Sequence, residues 1–343
     1  MQSRNTMNRI VALLVAGALL VILPARAEAQ AKLPSFIVVG VTQGGGLLNS
    51  LGNGLGKMIS EKGPFVARLR AASGGLDKLA HDSDAHVAMS VSVESFQSSR
   101  GLEHYSGTPL KKIRLVASGP NLIAGFLVKK DASFSAITDL KGKKVPGEYP
   151  STRPLYFDGV ALLAAAGMKW SDLSITPVAD IGEGVQVFVQ GRTDATIISV
   201  GAPFVREADA QLKGVRFIGL PTGPEVAKRM WEAIPGYYPL PLKAGFSAGV
   251  DRDMVLAAKD IYVNSGSGTD PAVVYEVTKA MWNHMATLHD VHPLFRTWTQ
   301  TAMLKASVTI PYHDGAVRFY KEVGKWTPEH EAAQKALLEA VGK

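Results

Sequence analysis

The chain has 343 residues, no cysteine and a formal net charge of +7. The absence of cysteine excludes disulfides and thiol chemistry, so stability has to come from buried apolar cores, and the length is sufficient for two of them. Lys and Arg are scattered rather than grouped in basic runs with aromatic residues between them. We therefore expect no nucleic-acid partner and interpret the charge as solubility plus a mild attraction for anionic solutes.

The N-terminus has the pattern of a cleavable signal peptide. Arg4 and Arg9 precede an apolar run over residues 10–23, which is short for a bilayer span, and a small-residue stretch follows it. A retained membrane anchor is the alternative. We assign residues 1–29 to the signal peptide and place the mature protein in the periplasm as a soluble molecule.

The first predicted strand leads into a glycine-rich turn. Residues 37–39 are β-branched, residues 42–46 are rich in glycine, and the segment after them has apolar residues at helical spacing. A turn of this kind at a helix N-terminus presents backbone N–H groups to an anion. The sequence therefore predicts an anion site here.

Strand-like and helix-like segments then alternate, which predicts an α/β fold with mainly parallel sheets. The proline- and glycine-rich region 221–241 breaks this rhythm, and a strand, a helix and further helical segments follow it. A chain that builds one α/β unit, then a second, and then returns predicts two lobes with a cleft between them. We assign residues 30–121 and 251–343 to lobe I and residues 122–250 to lobe II. The other predicted strands lie at 65–70, 86–90, 113–117, 124–128, 175–178, 194–199 and 254–263, and helices at 76–80, 156–166, 184–189 and 271–287.

Nucleotide-binding motifs fail on spacing. Asn49 stands at the third glycine of a dinucleotide fingerprint that would begin at Gly44, and residues 73–75 read Ser-Gly-Gly where a ribose-binding acid is required. Gly56-Lys57 is followed by Met rather than by the Ser or Thr of a P-loop. These departures disfavour a nucleotide ligand.

One hydrolase motif is present at residues 245–249, where GFSAG matches the G-x-S-x-G nucleophile elbow and places Ser247 at its centre. That motif requires a strand before the serine and a helix after it. The preceding residues 239–243 contain two prolines, and a strand is predicted to follow. A loop is the favoured interpretation, and a periplasmic serine hydrolase using Ser247 is the alternative function.

Three histidines, His284, His289 and His292, raise the question of a metal. The His-Pro pair at residues 292–293 is typical of a helix end, so the three side chains are not predicted to share one helical face. We expect surface or capping roles for them and neither a metal nor another cofactor.

Three predicted strand-to-helix turns, at residues 42–46, 73–75 and 151–153, carry hydroxyl groups and glycines. Ordinary helix caps are the alternative to a site, but the first two turns lie in lobe I and the third in lobe II, so an anion held from both sides would close the cleft. Arg153 is the predicted bidentate partner of a carboxylate, and Tyr156 or Phe157 is expected to pack on the carbon skeleton. The predicted ligand-binding residues are Thr42, Gln43, Gly44, Gly45, Asn49, Ser73, Gly74, Ser90, Ser151, Thr152, Arg153 and Tyr156.

The chain also resembles the TAXI-type solute receptors, the extracytoplasmic binding components of TRAP transporters. The most specific match is residues 310–324, IPYHDGAVRFYKEVG, similar to the family pattern P-x-H-x-G-A-x-x-Y-Y-x-E-x-G. Further matches lie at residues 73–75, 139–145, 191–195, 201–203 and 274–279.

The resemblance implies a type II periplasmic binding protein that is not an enzyme and that delivers a small carboxylate, such as glutamate or 2-oxoglutarate, to fused or separate TRAP permease subunits. We expect a monomer, with structural roles for His313 and Tyr320. Leu-Leu-Asn at residues 47–49 and Tyr-Pro at residues 149–150 depart from the family pattern beside the expected pocket.

Overall fold

The computed structural model describes residues 33–42, 47–72, 76–291 and 293–342. The predicted signal peptide and the glycine-rich turns at 43–46 and 73–75 lie outside these ranges. Strands and helices alternate as predicted, which confirms the α/β class. The strands are β1 Phe36–Thr42, β2 Val66–Ala72, β3 Val87–Val91, β4 Ile113–Lys129, β5 Lys144–Glu148, β6 Ser174–Val178, β7 Thr196–Ser199, β8 Val215–Ile218, β9 Tyr237–Leu242 and β10 Met254–Gly266.

Helices and 3-10 turns separate most of these strands along the chain. Short 3-10 turns lie at Glu103–Tyr105, Ile137–Leu140, Trp170–Asp172, Met285–Leu288 and Pro293–Thr297. The α-helices are α1 Leu47–Lys62, α2 Leu76–His81, α3 Ser92–Arg100, α4 Arg153–Ala165, α5 Ile181–Val189, α6 Pro203–Leu212, α7 Pro224–Ala233, α8 Pro271–His284, α9 Gln300–Met303, α10 Asp314–Glu322 and α11 Pro328–Ala340. None of the helices in the described ranges is long and apolar enough to cross a bilayer.

Eight strands form one sheet in the order β2-β1-β3-β10-β4-β7, with β8 beside β4 and β9 beside β10, while β5 and β6 pair separately. The prediction of mainly parallel sheets is wrong. Only β1–β2, β1–β3 and β5–β6 are parallel, whereas β10 and β4 run antiparallel to each neighbour they pair with. The two long strands enforce this mixture because they run through the sheet in opposite directions.

Strands β4 and β10 divide the pairing into two sets. In the first strand set, residues 113–118 and 262–266 join β1, β2 and β3. In the second strand set, residues 121–129 and 254–260 join β7, β8 and β9. The chain therefore passes between the sets inside β4 and again inside β10. The assignment of these sets to two lobes stays a prediction.

Strand β4 also corrects the prediction of separate strands at 113–117 and 124–128. Gly119 and Pro120 favoured a break, because proline cannot donate to a central ladder. The structure continues the strand past them by means of a bulge in β4. Asp260 pairs with Asn121 and Tyr262 pairs with Ser118, so Gly119 and Pro120 together lie opposite the single residue Ile261. The ladder is interrupted at a bulge, so the missing N–H of Pro120 leaves the flanking pairs intact.

Gly119 is expected to be required for this passage. A Cβ atom at Gly119 would lie 2.4 Å from the carbonyl oxygen of Ile261, a backbone atom that cannot rotate away. We expect Gly119→Ala to lower the free energy of unfolding by about 1–3 kcal/mol, as overpacking does. Urea unfolding of the mature protein measures this change.

Gly219→Ala is the matched control, because its Cβ would lie 3.5 Å from the nearest side-chain atom, an ordinary contact. Equal stability of the two variants would contradict a steric requirement at Gly119.

Candidate functional site

The first strand set places two of the predicted residues at one edge of the sheet. Thr42 ends β1 and Ser90 lies near the end of β3, and these strands are parallel neighbours. The carboxyl ends of parallel strands are the usual ligand-binding edge of an α/β sheet. Asn49 lies nearby in sequence on α1, where its side-chain and backbone oxygens accept hydrogen bonds from Asn53. Outside the described residues lie Gln43, Gly44, Gly45, Ser73 and Gly74.

Ser90 belongs to a buried polar network. Its hydroxyl lies 2.7 Å from that of Ser95 and accepts a 2.8 Å hydrogen bond from the Asn264 amide. The same amide donates to Asp77, which also accepts from Ser98. This network joins α2, α3 and β10, so it fixes the start of α3 at the sheet edge.

Two carboxyl groups of this region have raised pKa values. Burial raises the pKa of Asp77, against the hydrogen bonds it accepts. Burial, and then the nearby Asp77, raise the pKa of Glu94 to about 7, although the Tyr105 hydroxyl donates to Glu94 at 3.1 Å. Neither Asp77 nor Glu94 was predicted from the sequence as part of a site. For Glu94, the clue in the sequence is the serine-rich segment SVESFQSSR around it. In the structure the serines of this helix are buried rather than exposed.

The third predicted turn has a strained backbone. Glu148 and Tyr149 have φ angles of 70° and 47°, in the left-handed region that residues with side chains avoid at a cost of about 1–3 kcal/mol each. The fully buried ring of Tyr149 holds this conformation. It directs the chain into α4, where Thr152 is the N-cap residue but makes no side-chain capping bond. The hydroxyl groups of Ser151 and Thr152 therefore remain available to a guest.

Arg153 and Tyr156 lie together on the first turn of α4. The guanidinium stacks on the Tyr156 ring at 4.0 Å, and the ring stacks on Trp170. The guanidinium also forms a 3.7 Å ion pair with Glu103, from the segment that links α3 to β4. Arg153 thus holds a carboxylate that comes from a distant part of the chain.

A buried ion pair anchors α4 behind this turn. Asp158 of α4 accepts a 2.5 Å hydrogen bond from Lys259 of β10 and a 2.8 Å bond from Tyr237 of β9, and Lys259 also donates to Tyr237. All three side chains are buried. A buried pair of this kind fixes geometry, because breaking it would leave an uncompensated charge. The position of Arg153 is therefore set by β9 and β10.

Ser247 does not sit in a nucleophile elbow. It lies in a turn between β9 and β10, and a strand rather than a helix follows it. The arrangement gives Ser247 no strand–serine–helix support.

His313 is the N-cap of α10, where its Nδ1 accepts from the Gly315 N–H, and burial lowers its pKa. The Tyr320 hydroxyl donates to the carbonyl oxygen of Val116.

The candidate metal ligands of this chain are the histidines at positions 284, 289 and 292. The described part of the chain contains no group of three or more His, Cys, Asp or Glu residues that could hold a metal ion. His292 lies outside that part, so the expectation for the histidines stays a prediction. His289 follows the 3-10 turn Met285–Leu288 as its C-cap.

Solved structures share this architecture. A TctC solute-binding protein from Polaromonas has a TM-score of 0.54 and 14% identity, with 89% of this chain and 98% of that chain covered. The periplasmic sulfonate-binding protein SsuA from Methylobacillus flagellatus KT has a TM-score of 0.50 and 14% identity, with 90% and 88% covered. The fold is therefore that of periplasmic solute-binding proteins, which confirms the predicted architecture at that level.

The family is shown by a separate match. Residues 40–324 match the model of the NMT1-like family, and the chain belongs to that family. The match includes both strand sets, α4 and the C-terminal motif that carries the resemblance to TAXI receptors.

The raised pKa of Glu94 predicts a pH-dependent stability. Between the ordinary value of 4.5 and about 7, the folded protein keeps a proton that the unfolded chain has lost. The stabilising contribution of the protonated group is therefore complete below pH 4.5 and disappears as the pH rises through 7. We expect Glu94→Gln to raise the free energy of unfolding at pH 8 by on the order of 1–3 kcal/mol.

Urea unfolding from pH 5 to pH 8 measures this effect. The difference between wild type and Glu94→Gln should grow as the pH rises. Glu61→Gln is the control, since the Glu61 side chain is half exposed and, among the described residues, forms an ion pair only with Lys57 at 3.9 Å. A Glu94→Gln difference that does not change with pH would contradict the assigned pKa.

Proposed function

We propose that this protein is a periplasmic solute-binding receptor of a TAXI-type TRAP transporter. It captures a small organic anion such as glutamate or 2-oxoglutarate in a cleft between two lobes and delivers it to permease subunits in the membrane. Family membership and the solute-binding fold support a receptor role. The resemblance of residues 310–324 to the TAXI pattern supports the transporter type.

The observation that carries the choice of an anion is the contact of Arg153 with Glu103. The Arg153 side chain is 46% exposed, its guanidinium stacks on the Tyr156 ring, and the guanidinium lies 3.7 Å from the Glu103 carboxylate. An exposed pair of this kind contributes only about 0–1 kcal/mol. A free carboxylate can therefore replace Glu103 at Arg153 with little loss.

The surrounding groups favour this exchange. The hydroxyls of Ser151 and Thr152 carry no bond to the described residues, whereas the backbone N–H groups of both residues already donate to carbonyl oxygens. The donors open to a guest are therefore these two hydroxyls and the Arg153 guanidinium. Charge-assisted hydrogen bonds contribute about 1.5–3 kcal/mol each. Three or four such bonds, less the cost of ordering, reach the roughly −8 kcal/mol of a micromolar complex.

The first test is a thermal-shift screen of dicarboxylates and acidic amino acids with the mature protein. A ligand of the folded state present at about 100 times its Kd stabilises by about 2.7 kcal/mol, so at least one anion should raise the Tm. Arg153→Ala should weaken that anion at least about tenfold, because it removes a charge-assisted partner. Glu103→Gln should strengthen binding, because it removes the competing carboxylate.

Arg68→Ala is the matched control, since Arg68 of the edge strand β2 also stacks on an aromatic ring, with its guanidinium 3.8 Å from the centre of the Phe36 ring. It should leave anion binding unchanged. The proposal fails if no organic anion raises the Tm, or if Arg153→Ala and Arg68→Ala bind the anion equally well.

The hydrolase alternative is tested at Ser247. Ser247→Ala should leave the anion-induced rise in Tm unchanged, because the turn offers no strand–serine–helix support. Hydrolysis of p-nitrophenyl acetate by the mature protein is the second measurement. An esterase activity that disappears in Ser247→Ala would replace the receptor proposal with the hydrolase.

A further inference from the structure

A cavity of about 310 Å³ lies beside the second strand set. Its size falls at the lower end of the range for small-molecule sites, about 300–1,000 Å³. Strand β4 contributes Ile123, β9 contributes Leu240, and the 3-10 turn Pro293–Thr297 closes another side with Thr297. None of the predicted anion-binding residues that the structure describes lines this space.

The cavity adjoins the carboxyl end of β7, where Ser199 and Val200 line it. The turn that contains GFSAG lies against the same strand end, since a Cβ atom on Gly201 would come within 3.8 Å of the Ser247 hydroxyl. Phe246 of this turn lines the cavity and is 49% exposed. The GFSAG turn thus contributes the aromatic ring of Phe246 to the rim of the cavity.

Two polar groups in the wall are available to a guest. The Asn121 amide nitrogen donates to the Tyr238 hydroxyl at 2.5 Å and to Asp260 at 2.8 Å, so the amide is fixed and its oxygen is left as an acceptor. Ser199 makes no side-chain hydrogen bond to the described residues. A rigid acceptor beside a free hydroxyl selects a ligand that carries a hydrogen-bond donor.

The lining offers no free charge. Lys243 is the one cation among the described lining residues, and its ammonium is bound by Asp253 at 2.7 Å, while Asp253 also accepts from the Ala244 N–H at 3.0 Å. This pair is exposed, but it is shorter and better held than the 3.7 Å contact of Arg153 with Glu103. A charged ligand would lose its hydration here without gaining a partner. The remaining wall is mostly aliphatic, with Phe246 as its aromatic member.

We propose that this cavity is a second binding site, which takes an uncharged organic molecule with a ring-sized apolar body and one hydroxyl or amide donor. The donor is bound by the Asn121 amide oxygen and the Ser199 hydroxyl, and the ring packs between Phe246 and the aliphatic wall. Binding here is independent of the anion site.

Benzyl alcohol is the probe. Ligand-observed NMR titration of the mature protein should show saturable binding with a Kd of about 1 mM or below, which is typical of a fragment with eight non-hydrogen atoms. Phe246→Ala should weaken binding about tenfold through the lost ring contact. Benzoate and benzylamine should bind at least about tenfold more weakly than the alcohol.

The control is Phe36→Ala, which removes a phenylalanine of similar exposure, 36%, from the first residue of β1. It should leave the Kd unchanged, as should Arg153→Ala if the two sites are independent. Leu240→Trp should abolish the binding of benzyl alcohol by filling the cavity. If Leu240→Trp does not fold, the Kd of Phe246→Ala for benzyl alcohol is the deciding measurement. The absence of saturable binding, an equal Kd for benzoate, or equal effects of Phe246→Ala and Phe36→Ala would overturn the proposal.

Discussion

The structure depends on the pairing of β4 with β10, because these two strands are the elements that both strand sets share. At the point of passage Asp260 is buried and accepts hydrogen bonds from Ser118, Asn121 and Tyr238, and Lys305 neutralises it at 2.7 Å. Side chains from β4, from β9 and from the segment before α10 therefore all bind the one carboxylate of Asp260. Any movement of the second set relative to the first has to pass through this joint, whose hydrogen bonds limit where the chain can bend.

The electrostatic character of the candidate site differs from that of the whole chain. The chain is basic, but the side of the site built on α2 and α3 carries Asp77 and Glu94, and Glu103 follows. Burial shifts the first two toward their neutral forms, which reduces their repulsion of an anion. Arg153 supplies the positive charge from the other side. In the proposed receptor, the balance between these acids and one arginine, rather than the net charge of the chain, determines which solute is accepted.

Much of the fold could be predicted from the sequence because α/β alternation is a local pattern. Strand β4 could not, because its continuation past Pro120 depends on a bulge formed against β10, a strand far away in the chain. For the candidate site, the sequence indicates the hydroxyl groups before α4 and Arg153 at its first position, but the contact of Arg153 with Glu103 has no sequence signal because the two residues are far apart in the chain. The buried serine network was missed because serines in a helix are usually taken as exposed, and the GFSAG motif gave no indication of a cavity.

The two prolines of β9 have a consequence for association between molecules. Strand β9 pairs with β10 alone among the described strands, so its other side is an open sheet edge. Pro239 and Pro241 are two residues apart, so both would direct their backbone nitrogen to the same side, and proline has no N–H to donate. A strand from a second copy would find two donors missing there. The backbone chemistry of this edge therefore opposes polymerisation by strand addition.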